Sequence, residues 1–287
     1  MKQQTNFGDL PQKYCAYDKA KIIILPAPFD ATSTWIKGAD KGPAAILEAS
    51  ANMETYDIET DSEVYKQGIF TDKPIKEKKS PEKMVAELKA RTLKHIKNKK
   101  YVVTLGGEHS ISAATIQAHV ESFKNVSVLQ FDAHADLREE YHGTKFNHAC
   151  VMARAREIAP IVQVGIRSAD VTERNSIQKA GNVFLAQDIC DDNNKWFGKC
   201  LDKLTKNVYL TIDLDAFDPA ILPSTGTPEP CGLGWYQVLD FLRLLMKKKN
   251  VIGFDIVELC PNPKNKASDF LAAKLVYKLL SYRFCLK

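Results

Sequence analysis

Apolar positions along this chain follow two alternating rhythms. Short, nearly continuous apolar runs fall at 21–25, 101–105, 126–131, 161–164, 208–212 and 251–254, with a weaker one at 183–185. Runs of that length, rich in Ile, Val and Leu, predict strands buried on both faces. Between them lie segments with helical spacing at 42–48, 80–98, 110–123, 148–158, 235–246 and 267–284. Ser80-Pro81 supplies an N-cap and a first-turn proline for the second of these, and Val85, Leu88, Leu93 and Ile96 form its stripe. Strands alternating with helices predict an α/β fold with a mainly parallel central sheet. No repeat or linker interrupts the alternation, so residues 1–287 are expected to form one domain.

Four predicted strands run directly into polar residues. These are Gly106-Gly107-Glu108-His109, Asp132-Ala133-His134-Ala135-Asp136, Asp213-Leu214-Asp215 and Asp255-Ile256-Val257-Glu258. In parallel sheets, ligands bind beyond the carboxyl ends of the strands. Side chains two apart on an extended chain share a face, so Asp132 and His134 converge, as do Asp213 and Asp215. A lone aspartate at a strand end is usually a turn former or helix cap, but His109, Asp132, His134, Asp136, Asp213 and Asp215 taken together read as metal ligands. Asp132, Asp136, Asp213 and Asp215 together suit two divalent cations and are hard to hold together otherwise. No cysteine falls inside the motifs, which argues against a thiolate zinc site. Carboxylates with a little imidazole favour Mn²⁺, ahead of Mg²⁺, Co²⁺, Fe²⁺ or Zn²⁺. Two such ions a few Å apart supply hydroxide at neutral pH. The residues alone therefore point to a binuclear metal hydrolase.

Composition narrows the class further. The chain is 45% hydrophobic and 26% charged, as in ordinary globular proteins. Its net charge of +5 comes mainly from lysines at 76–83, 94–100 and 247–249, which lack interleaved aromatics. They read as solvated helix ends, and no nucleic-acid partner is expected. No apolar stretch approaches the ~18 residues that span a bilayer, so no membrane partner is expected. The N-terminus, Met1 to Asp9, has no apolar core and predicts no signal peptide. Seven scattered cysteines without a CxxC pair read as reduced thiols of a cytoplasmic protein. Trp35, Trp196 and Trp235 read as core or interface anchors.

The motifs also carry a family resemblance. Gly106-Gly107-Glu108-His109-Ser110, Phe131-Asp132-Ala133-His134-Ala135-Asp136 and Ile212-Asp213-Leu214-Asp215-Ala216-Phe217-Asp218-Pro219 resemble the ureohydrolases, the family of arginase and agmatinase. Thr225-Gly226-Thr227-Pro228-Glu229-Pro230 and Gly253-Phe254-Asp255-Ile256-Val257-Glu258 match two further motifs in the same order. The resemblance implies a three-layer α/β/α sandwich, a di-manganese site and hydrolysis of a guanidino group to an amine and urea. It implies that His109, Asp132, Asp136 and Asp213 hold one ion, and Asp132, His134, Asp213 and Asp215 the other. A hydroxide bridging the ions would attack the guanidinium carbon, with Asp136 accepting its remaining proton. Glu258 would hold the guanidinium beside Thr227, and Asp255 would either support a ligand or cap its strand. A homo-oligomer, trimer or hexamer, is also implied.

A proton must reach the leaving amine, and histidine suits that shuttle. The stretch from Asp136 to Cys150 resembles an agmatinase-like subgroup, whose catalytic histidine falls on His148 rather than on His142. Where arginase carries an asparagine contacting the substrate's α-carboxylate, this chain has Arg138, followed by Glu139-Glu140. That acidic pair would attract a substrate ending in an amine. The expected reaction is agmatine to putrescine and urea. Alternatives are aminopropylagmatine, guanidinobutyrate or arginine as substrate, a non-catalytic partner protein of the same fold, or a phosphoesterase.

Overall fold

All seven apolar runs form strands. The computed structural model describes residues 6–190 and 192–286, so the first five residues of the polar N-terminus lie outside it. The strands are β1 (Ile22–Ala27), β2 (Ile69–Thr71), β3 (Tyr101–Gly106), β4 (Val126–Phe131), β5 (Ile161–Ile166), β6 (Val183–Leu185), β7 (Asn207–Asp213) and β8 (Asn250–Val257). β2 was not anticipated. Ile69-Phe70-Thr71 is too short to show a period, and it becomes a strand by pairing with Ile22, Ile23 and Ile24 at the sheet edge.

Every pairing of these strands is parallel, and the order is β2-β1-β3-β8-β7-β4-β5-β6. Strand residues alternate between two apolar clusters. Ile22, Ile24, Val103, Leu105, Leu129 and Phe131 join helices Gly42–Ser50, Trp196–Lys203, Trp235–Lys248 and Ala267–Cys285 on one face. Leu25, Val102 and Val128 join Pro81–Lys97, Ser112–Ser122 and Val151–Arg156 on the other. The result is the expected three-layer α/β/α sandwich. The strands are buried on both faces, which explains why their sequences read as unbroken apolar runs.

Two predicted helices start later than expected. Segments 109–111 and 148–150 are 3₁₀ turns, and the α-helices begin at Ser112 and Val151. Each turn is capped from its first side: Glu108 accepts Ser110 N–H, and Asn147 accepts Ala149 N–H. Trp196 is a core anchor as expected, stacked on Phe241 at 4.7 Å. Trp35 is not, since it stands 75% exposed. Lys94 and Lys97, and Lys247 and Lys248, do sit in last turns of helices, whereas Lys76, Lys78 and Lys79 lie in the loop before the helix Pro81–Lys97. No helix among the described residues is long and apolar enough to cross a membrane.

Four strands carry the polar ends, β3, β8, β7 and β4, and they are consecutive neighbours at the middle of the sheet. The chain reverses its direction of strand addition there, which opens a crevice at their carboxyl ends.

Candidate metal centre and cavity

The Gly106-Gly107 pair lets β3 end in close contact with its neighbour. A Cβ on Gly107 would stand 2.0 Å from Phe29 O, so only glycine fits. Gly107 and Glu108 N–H donate to Ala27 and Phe29 carbonyls, both at 2.9 Å. This tight turn delivers His109 to the crevice almost fully buried. His109 Nδ1 lies 3.0 Å from Asp132 Oδ2, 3.1 Å from Asp136 Oδ2 and 3.3 Å from Asp213 Oδ2. Its other nitrogen, Nε2, is 2.9 Å from Thr211 Oγ1. Thr211 donates its own hydrogen to Asp255 Oδ1 at 2.6 Å, so it accepts from Nε2–H. Nε2 is thereby committed to Thr211, and Nδ1 is the nitrogen left to face the three carboxylates and, with its proton lost, to ligate a cation.

A second cluster shares Asp132. His134 Nδ1 lies 2.9 Å from Asp215 Oδ2 and 3.6 Å from Asp132 Oδ1. Backbone groups fix the carboxylates. Ala133 N–H donates to Asp215 Oδ1 at 3.0 Å, His134 N–H to Asp132 Oδ1 at 2.6 Å, and Asp215 N–H to Asp213 Oδ1 at 2.9 Å. Gln130 donates to Asp132 Oδ2 at 2.6 Å and is itself held by Gln163 at 2.6 Å. Asp136 and Glu258 adopt positive φ, 53° and 66°, which few non-glycine residues do. Two helical N–H groups, of Met152 and Ala153, hold the Asp136 carbonyl at 3.0 and 3.2 Å and offset that strain.

The donor set fits a pair of divalent cations. His109, Asp132 and Asp213 form one group with mutually close ligand atoms, and Asp132, His134 and Asp215 another. Adjacent ligands of an octahedral ion with bonds of about 2.1 Å stand about 3.0 Å apart, which is the spacing around His109 Nδ1. That buried nitrogen has no hydrogen-bond partner among the described residues. The electrostatics agree. Burial and the neighbouring Asp215 and Asp132 charges raise Asp213 well above the carboxylate range, and burial with Asp132 raises Asp136 to about 7. Burial opposes charge on His134, but Asp215 and Asp132 outweigh it and raise it to about 12. The protein alone can hold these carboxylates together only with protons and imidazolium charges, a role divalent cations fill better.

One cavity of ≈ 270 Å³ brings the expected residues together: His109, His134, Asp136, His148, Asp213, Asp215, Thr227 and Glu258 all line it. Asp132 sits fully buried behind them. Glu258 Oε1 accepts His109 N–H at 2.6 Å. Burial, then the nearby Glu108 charge, raise Glu258 well above its ordinary value, so it calls for a cationic partner. His148 N–H donates to Thr32 Oγ1 at 3.0 Å, and its Nδ1 lies 3.3 Å from the same oxygen. Burial, reinforced by the charges of His134 and His109, pushes His148 down to about 4, which keeps it neutral. His142 is exposed and outside this cavity.

The acidic pair Glu139-Glu140 stands outside the site expected of it. Neither lines the cavity, and Glu139 is held by Arg154 at 2.8 Å and by Arg156. Besides the ligands and Glu258, the cavity's acidic lining residues are instead Asp170 and Glu173. Glu173 is buried and accepts Leu137 and Asp170 N–H, both at 2.6 Å. Asp170 pairs with Arg138 at 3.1 Å, and Arg138 stacks on Tyr141 at 4.6 Å. Sequence reasoning missed Thr211, Gln130, Asp170 and Glu173. The first two stand two residues before a ligand on the same strand face, a period-two signal that was there to read. The last two are the ends of an Asp-x-x-Glu capping box on the 3₁₀ turn Val171–Glu173 after β5, a signal that marks a helix start and not a cavity wall.

Residues 20–281 match the model of the arginase family. The chain is 39% identical to the N(1)-aminopropylagmatine ureohydrolase of Synechocystis over 93% of its length and 90% of that protein's. It is 34% identical to the agmatinase of Pyrococcus horikoshii, covering 91% of each. Its fold superposes on the agmatine ureohydrolase of Thermoplasma volcanium with a TM-score of 0.85, at 31% identity and covering 93% and 91% of the two chains.

Proposed function

The chain belongs to the arginase family, and on that premise we propose that it is a urea-releasing hydrolase of a guanidino amine, agmatine or its N1-aminopropyl derivative. The observation that carries this reading is one cavity lined by His109, His134, Asp136, Asp213, Asp215 and Glu258 and also by Asp170 and Glu173, with Asp132 buried behind the ligands. Two divalent cations, Mn²⁺ by the chemistry of the donors, held by His109, Asp132, Asp136 and Asp213 and by Asp132, His134, Asp213 and Asp215, would supply hydroxide at neutral pH. Glu258 pairs with the guanidinium, a planar cation that offers only donors, and Thr227 accepts beside it. His109 N–H fixes one Glu258 oxygen and leaves the other for substrate. Asp136 holds the proton that the attacking water gives up. His148, kept neutral and seated on Thr32, relays a proton to the leaving amine.

The Asp170 and Glu173 side chains in the lining favour an amine tail over a carboxylate. Arg138 also lines the cavity, but Asp170 already pairs with it, and Glu173 stands as a further carboxylate. The reading takes residues 1–287 as one ureohydrolase domain of a cytoplasmic homo-oligomer, trimer or hexamer. Urea release with Mn²⁺ present should give kcat/KM for agmatine or aminopropylagmatine at least about tenfold above that for arginine and guanidinobutyrate. Faster turnover of either acid, or no urea from any of the four, would overturn it.

A further inference from the structure

The loop from Asp30 to Ala39 is closed at its neck and pinned on both flanks. Asp30 Oδ2 accepts Gly38 and Ala39 N–H at 2.7 and 3.2 Å, and Ser33 donates to its other oxygen. On one flank, Thr32 holds His148 N–H at 3.0 Å. On the other, Cys260 Sγ–H donates to Lys37 O at 3.4 Å, and Ile36 O lies 3.3 Å from where a Cβ on Gly226 would stand, with Glu258 Oε2 3.7 Å from that point. The loop therefore spans from the proton-relay histidine to the guanidinium-binding carboxylate and forms one wall of the cavity. At its tip Trp35 lines the cavity yet stays 75% exposed, beside Ile36 at 46%. Trp196 and Trp235, by contrast, pack on Phe241 and Phe217 at 4.7 and 5.9 Å.

A tryptophan held on a pinned loop and left bare presents an apolar, electron-rich face to whatever passes the mouth. Resting on the amine-directed reading above, we propose that Trp35 is a specificity-determining residue that selects the aminopropyl-extended guanidino amine over agmatine. With the guanidinium at Glu258, the arm added beyond the first amine is the part of the substrate farthest from the ions and nearest the mouth. That arm adds three methylenes ending in a primary ammonium, and an indole face takes both, by apolar contact and by cation–π attraction. Agmatine has no such arm, so the indole contributes less to its binding. Asp170 and Glu173 attract both amines and do not by themselves distinguish them.

The test compares wild type, Trp35→Ala and Trp35→Phe, each Mn²⁺-loaded, for urea release from aminopropylagmatine and from agmatine. The ratio of the two kcat/KM values should fall about tenfold or more in Trp35→Ala, through KM for the longer amine, and be partly restored in Trp35→Phe. Titrated with the product amines, wild type should show quenching of tryptophan fluorescence by spermidine at lower concentration than by putrescine, and Trp35→Ala should lose that difference. An unchanged ratio in an active variant, or a Trp35→Ala protein whose oligomeric state differs from wild type in light scattering, would overturn the proposal. The second result would make the exposed indole a subunit contact. No urea from either amine with the wild-type enzyme would overturn the functional reading and this inference together; an unchanged ratio overturns this one alone.

Discussion

Thr211 decides which nitrogen of His109 faces the carboxylates. It accepts from Nε2 at 2.9 Å because its own hydrogen is committed to Asp255, 2.6 Å away, which also accepts from Tyr209 at 2.6 Å. Asp255 is thus a buried support within β8 rather than a cap, the alternative that sequence could not separate. Thr211→Val keeps the shape and removes the acceptor. It should weaken Mn²⁺ binding by about 10- to 100-fold, measured by titrating metal-free protein, with the substrate KM at saturating metal little changed. An unchanged metal affinity would remove Thr211 from the design. The ligands themselves were legible because a charged group at the end of a buried apolar run rarely goes without a partner or a metal. Glu173 was not, because its role depends on a long-range contact, its bond to Leu137 N–H just after the ligand run.

At the scale of elements, the helix Ser112–Ser122 carries a second legible consequence. His119 on it is buried, donates from Nδ1 to Thr115 O at 2.7 Å, and has no partner for Nε2 among the described residues. Burial pushes it down from 6.5 to about 4, against a smaller opposing effect of that hydrogen bond. Between those values the unfolded chain binds a proton that the folded chain refuses, so stability falls as pH drops through the window. The full loss is on the order of 3 kcal/mol and is complete below pH 4. Urea-denaturation midpoints at pH 7 and 4.5 should therefore lie closer together in His119→Leu than in wild type. An equal gap would contradict the assignment. Elements were readable where burial was two-sided and the run long. The edge strand β2 and the 3₁₀ starts at 109–111 and 148–150 were not, because pairing and capping create them rather than periodicity.

At the scale of the molecule, the sheet order converts distant motifs into one site. Residues 109, 132–136, 213–215 and 258 meet because β3, β8, β7 and β4 lie side by side, an order that no local pattern predicts. The motif resemblance stood in for that missing topology. The same cavity is also lined by Asp170 and Glu173 and by the pinned loop that carries Trp35. The central claim is that these strand ends form a two-ion centre that drives urea release. Metal-free protein titrated with Mn²⁺, with bound metal and urea release from agmatine and aminopropylagmatine followed together, tests it most directly. Two ions per chain, one for each ligand group, should bind, with turnover rising as the pair is completed and lost in Asp132→Asn. Full urea release with a chelator present, or with Asp132→Asn, would contradict it.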